Sequence, residues 1–157
     1  MIRYRIALAA AVAVLCAGMS GHSVSATGRT VADLNPKAIK VTLPPDIKWT
    51  KNEASERATV YGDPSKLGYY AVLIKWLPHH NSRPHYHPND RFIQVLSGTW
   101  MVQTGAKYDP AGFVGVPAGS FVVHAGKEIH YDGAGDEPAL LLISGMGPDT
   151  SVNAEEK

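Results

Sequence analysis

The strongest constraint on this chain is its punctuation. From Ile39 onward, short runs rich in Val, Ile, Leu, Tyr and Trp alternate with tight groups of Gly, Pro, Asn and Asp. The extended runs are Ile39–Leu43, Ala58–Tyr61, Tyr69–Leu77, Arg91–Leu96, Thr99–Thr104, Phe113–Val116, Ser120–His124, Glu128–Tyr131 and Ala139–Ser144. Turn signals separate them, among them Gly62-Asp63-Pro64, Ser97-Gly98, Asp109-Pro110 and the stretch from Pro117 to Gly119. No long stretch with a 3.6-residue period competes, and Lys51–Arg57 is expected to give at most one helical turn. Many short strands at regular spacing predict an all-β sandwich or barrel. No solenoid-type repeat or low-complexity segment is present.

The first 26 residues read differently. Arg3 and Arg5 precede an apolar run from Ile6 to Ala17, and small and polar residues follow, ending Val24-Ser25-Ala26. This is the pattern of a secretory signal peptide cleaved after Ala26. The apolar run falls short of the ~20 residues a membrane-spanning helix needs. The expected location is therefore periplasmic or secreted, with no membrane attachment after cleavage. Residues 27–38 are polar and read as a flexible arm, 39–150 as one barrel domain, and 151–157 as a loose C-terminal tail. The leader carries two of the 15 Lys and Arg and none of the 14 Asp and Glu. The remainder thus holds 13 basic and 14 acidic side chains, a net charge of −1. No basic patch stands out, so nucleic acid is not an expected partner. The single cysteine, Cys16, belongs to the leader, so stability must come from a packed core rather than a disulfide.

The chemistry lies in the histidines. His85 and His87 are two apart, and alternate residues of a strand point to one face, so their imidazoles can aim at one point. A His-x-His pair is equally compatible with two surface histidines beside a Pro-rich turn. His130, at a distant strand start, raises the metal reading, because a barrel can bring it to the pair. His79 and His80 fall in the Pro78–Pro84 loop and are expected at the barrel rim. Trp76, Trp100 and Phe113 are expected in the core or barrel wall.

These residues and their spacing resemble the cupin family. His85-Tyr86-His87, three residues, Arg91, six residues and Gly98 follow the spacing of its first motif, with Arg91 where that motif has Glu. Gly119 opens the second motif and His130 falls on its histidine. His79, Ala125, Lys127 and Ala134 depart from the pattern, at positions held in the motifs by Gly, Pro, Gly and Asn. The resemblance spans roughly Tyr69 to Gly147. It implies a single-domain jelly-roll β-barrel with a divalent metal on His85, His87 and His130. Iron is favoured, with manganese, zinc or nickel possible, since imidazoles alone do not choose. It also implies a possible homodimer. Related barrels with three histidines and no Glu work as iron oxygenases, so the missing Glu does not exclude a metal.

Arg91 is the misfit. A guanidinium stays charged and cannot ligate a metal, and burying it unpaired is costly. It pairs with a buried carboxylate (Asp90, Asp132 or Glu128), or it holds an anionic ligand beside the metal, or the metal is gone. Asp90 is a candidate replacement ligand. Gln94 should face away. His124 is a candidate fourth nitrogen ligand or proton carrier, against the plainer reading of a hydrogen-bonded barrel histidine. The expected function is an exported metal-binding cupin, dioxygenase-like if an enzyme, acting on a small organic anion with Arg91 and His124 as catalytic candidates. The alternatives are a non-enzymatic periplasmic module for a small ligand or metal, and a barrel whose site has decayed.

Overall fold

The computed structural model describes residues 28–157; the expected signal peptide lies outside the described residues. Residues 28–41 form one unit and Thr42–Lys157 a second. In the first, a 3-10 turn at Val31–Asp33 is closed by the Thr30 backbone N–H donating to the Asp33 carboxylate at 2.5 Å. The run 39–43, expected as a strand, pairs with no strand among the described residues, and Ile39, Val41 and Leu43 are exposed. Among the described residues no helix is long and apolar enough to cross a membrane.

The second unit is all β, as the punctuation predicts. Its strands are β1 (Thr50–Lys51), β2 (Ser55–Tyr61), β3 (Gly68–Trp76), β4 (His85–Tyr86), β5 (Arg91–Ser97) and β6 (Thr99–Thr104). They continue with β7 (Val114–Pro117), β8 (Phe121–His124), β9 (His130–Ala134), β10 (Ala139–Gly147) and β11 (Val152–Asn153). Two antiparallel sheets result, one in the order β1-β2-β3-β10-β5-β8 and the other β11-β4-β9-β6-β7. Where a helical turn was expected at Lys51–Arg57, β1 and β2 form a hairpin instead. The Asn52 side chain accepts from the backbone N–H groups of Ala54 and Ser55, and that local bond makes a turn rather than a helix. The expected loose tail is also corrected. β11 pairs with β4, and the Ala154 N–H donates to the Pro84 carbonyl at 3.0 Å.

Strand alternation places the core. On β5, Arg91, Ile93 and Val95 are buried while Phe92, Gln94 and Leu96 are exposed. Ile93 and Val95 pack with Tyr70 and Val72 of β3, Leu141 and Ile143 of β10, and Trp100 of the facing sheet. Burying side chains of this size contributes about 1.5–3 kcal/mol each. The same alternation that builds the core therefore turns Arg91 inward.

The motif spacing survives in the backbone where the residue types do not. Gly98 and Gly119 have φ of 73° and 89°. His79 and Lys127, which stand where the resembling motifs carry Gly, have φ of 61° and 69°. Among the described residues they are the non-glycine residues with positive φ. Each position needs a left-handed turn, which costs a residue with a Cβ about 1–2 kcal/mol. Lys127→Gly is expected to raise the melting temperature by a few degrees, allowing for the entropy glycine loses on folding. Gly98→Ala should lower it, because a Cβ there meets the Pro138 carbonyl as well as the φ penalty. Thermal melts of both variants by circular dichroism check this pair of signs.

Candidate metal centre

The second sheet supplies the three histidines. His85 on β4 lies directly across from His130 on β9, and His87 follows β4 by one residue. Their ligand atoms all lie within 4.8 Å of one another. The sequence named this set, and the structure brings it together.

Each ring is held in one tautomer. His85 Nδ1–H donates to the Arg83 carbonyl at 2.8 Å, and His130 Nδ1–H to the Glu128 carbonyl at 3.0 Å. His87 Nδ1–H donates to the Thr150 carbonyl at 2.9 Å, with Asp149 Oδ1 at 3.3 Å. In the neutral form of each ring Nε2 is then a bare lone pair. The Nε2 atoms of His85 and His87 are 3.1 Å apart, and the buried Nε2 of His130 has no hydrogen-bond partner. Lone pairs that converge without a proton between them repel, and a buried unsatisfied acceptor is costly. A cation among them relieves both problems, so the residues present fit a metal. Burial pushes the imidazoles of His85 and His130 down, His130 to about 4, which keeps them neutral as ligands must be.

The first sheet supplies the charged neighbours. Arg91 opens β5, directly across from His124 on β8, and is only 6% exposed. Of the carboxylates expected to pair with it, none does. Asp90 instead accepts from the Gly126 N–H at 2.7 Å and is not placed as a replacement ligand. Glu128 contributes its backbone carbonyl, to His130. Asp132 is taken by the tryptophans: its Oδ2 accepts from Trp100 Nε1 at 2.9 Å and Trp76 Nε1 at 3.1 Å, and its Oδ1 from Ser82 at 3.1 Å. Burial pushes the Asp132 carboxyl up, but its coupling to His124 and the nearby fixed charge of Arg91 outweigh it and hold the group below the usual range.

The partner of Arg91 is Asp149, which sequence reasoning missed. Arg91 Nη1 lies 3.5 Å from Asp149 Oδ1, and Arg57 Nη2 lies 2.8 Å from Oδ2. Burial raises the Asp149 carboxyl, yet the His87 hydrogen bond and the charges of Arg91 and Arg57 hold it well below the usual carboxylate range. Arg91 Nε is buried without a partner.

His124 stands behind the triad and outside it. Its ring lies tilted against that of His130, with centroids 3.8 Å apart, and its Nδ1 accepts from Arg91 Nη2 at 3.4 Å. Burial and the neighbouring His130 push it down to about 3. His79 and His80 are exposed, as expected of a rim. A cavity of about 550 Å³ reaches the centre, lined by Arg57, Trp76, Arg83, His85, His87 and Arg91 among others.

This barrel is similar to solved structures. The polyketide cyclase RemF from Streptomyces resistomycificus superposes with a TM-score of 0.61 at 15% identity, covering 76% of this chain and 87% of that one. A conserved protein with a double-stranded β-helix domain from Klebsiella pneumoniae gives 0.57 at 17%, covering 75% and 99%. Oxalate decarboxylase from Lactobacillus farciminis, in complex with formate, gives 0.54 at 19%, covering 76% and 40%. This chain has the cupin fold. No family model and no curated protein matches the chain.

If the three Nε2 atoms share one ion, losing any ring should abolish most binding. His87→Ala and His130→Ala are each expected to lower the metal content of the purified protein at least tenfold, read by elemental analysis after growth with iron, manganese, zinc or nickel.

Proposed function

We propose that this protein is a metal-binding cupin that takes a small organic anion at a centre built from His85, His87 and His130. The observation that carries this reading is the convergence of three Nε2 lone pairs, with His130 Nε2 buried and unpartnered. Iron is the first choice, then manganese, zinc or nickel. A divalent ion held there supplies Lewis acidity and, if it is iron, access to chemistry with dioxygen.

The residues around it favour an anion. Three imidazoles leave the ion's charge unneutralised, where a Glu would have removed one unit. Arg57, Arg83 and Arg91 line the cavity. Arg91 is buried with its Nε unsatisfied and only long contacts from its two ends, 3.5 Å to Asp149 and 3.4 Å to His124. A carboxylate accepts two parallel N–H bonds from such a fork better than either present partner does. His124, held neutral by burial, accepts from Arg91 and so steadies the fork. The similarity to an oxalate decarboxylase that holds formate agrees with a small carboxylate as ligand. The favoured activity is oxygenase-like turnover of that anion. We also read residues 1–26 as a leader, which places the centre in the periplasm or outside the cell. Mass spectrometry of exported protein should then find a chain beginning at Thr27.

Metal analysis comes first as a test: no stoichiometric metal under any growth condition would sink the proposal. Isothermal titration of the loaded protein with small carboxylates should give binding that Arg91→Met weakens at least tenfold, with metal content retained. Oxygen uptake with the same panel and with phenols separates an oxygenase from a binding module. Tight binding with persistent absence of uptake would identify the module.

A further inference from the structure

A buried carboxylate, Asp149, stands beside this centre. It comes from elsewhere in the chain. Asp149 lies 58 residues beyond Arg91 and outside the stretch that carries the metal-site spacing. Its side chain is only 3% exposed. Oδ1 faces both His87 Nδ1, at 3.3 Å, and Arg91 Nη1, at 3.5 Å, while Oδ2 takes Arg57 at 2.8 Å. The segment around it is fixed at several points. The Asp149 N–H donates to the Pro64 carbonyl at 2.7 Å, Thr150 accepts from His87, and Asn153 lies opposite His85 in the β11–β4 ladder.

These contacts define a task. Arg91 brings a fixed positive charge within 3.5 Å of a ligand histidine. An unrestrained guanidinium there would repel a cation, at a depth where screening is weak. Asp149 faces one end of the guanidinium and His124 the other, so each end has a partner that holds it in place. We propose that Asp149 is a positioning residue of the centre: it offsets and restrains Arg91, and so permits a cation on three histidines. The inference rests on the three-histidine metal reading.

A double-substitution cycle tests it, with zinc affinity of the purified protein measured by competition against a chromophoric chelator. Asp149→Asn is expected to weaken zinc binding at least tenfold. In an Arg91→Met background the same substitution should cost threefold or less, because there is no charge left to offset. A loss of the same factor in both backgrounds would mean that Asp149 is merely structural, and would overturn the proposal. If Asp149→Asn does not fold, Asp149→Glu and Asp149→Ser take its place. Zinc affinity kept within threefold by Glu and lost at least tenfold with Ser supports the arrangement, and equal losses in the two overturn it. The two readings fail separately. No zinc binding by the unsubstituted chain defeats the metal reading and this inference with it. Zinc binding without coupling defeats this inference alone.

Discussion

The barrel and its site both depend on Asp132. This buried carboxylate sits on β9, two residues past His130, and accepts one indole N–H from each sheet, Trp76 on β3 and Trp100 on β6. Ser82 adds a third donor, from the loop that leads to His85. A buried charge survives only when it is hydrogen-bonded and balanced. Here that requirement ties the two sheets and the histidine-bearing loop to one point. With its oxygens turned to these neutral donors, Asp132 makes no direct ion pair with Arg91, although both are buried in the same barrel.

Arg91 then needs another counter-charge, and the chain supplies it through topology. β10 runs beside β5 with Gly145 opposite Arg91, so the chain leaving β10 reaches Asp149 just past that point. Two arginines converge on one carboxylate, and the carboxylate also meets a ligand histidine. The centre thus departs in charge from the pattern its spacing resembles. Arg91 stands where that pattern has Glu, and the carboxylate, Asp149, lies on the Nδ1 side of His87. Such an arrangement keeps three imidazoles facing one point and sets the carboxylate behind one of them.

Much of this was legible along the chain. The strands that form β3, β5, β6, β7, β8, β9 and β10 follow from apolar runs between turn residues, since each run is long enough to show its pattern. The two-residue strands β1, β4 and β11 carry no such pattern, because pairing alone defines them. The run at 39–43 has strand composition but finds no partner strand among the described residues, and a strand is a relation between segments rather than a property of one. His79 and Lys127 read only as departures from the motif, and it took the backbone to show that both keep the positive φ of the glycines they replace in that spacing.

The sequence by itself determined the all-β architecture, the strand face that Arg91 shares with Ile93 and Val95, and the identity of the three converging histidines. Those follow from periods of two and from fixed spacings, which are local. Only the tertiary structure decided which acid meets which base. Asp90, Glu128, Asp132 and Asp149 are equivalent as letters. What distinguishes them is which donors the fold has already placed around each one. Asp90 is spent on a loop N–H, Asp132 on two tryptophans, and Glu128 lends only its backbone carbonyl. Asp149 is left to face Arg91, because antiparallel pairing of β10 with β5 carries the chain back past it.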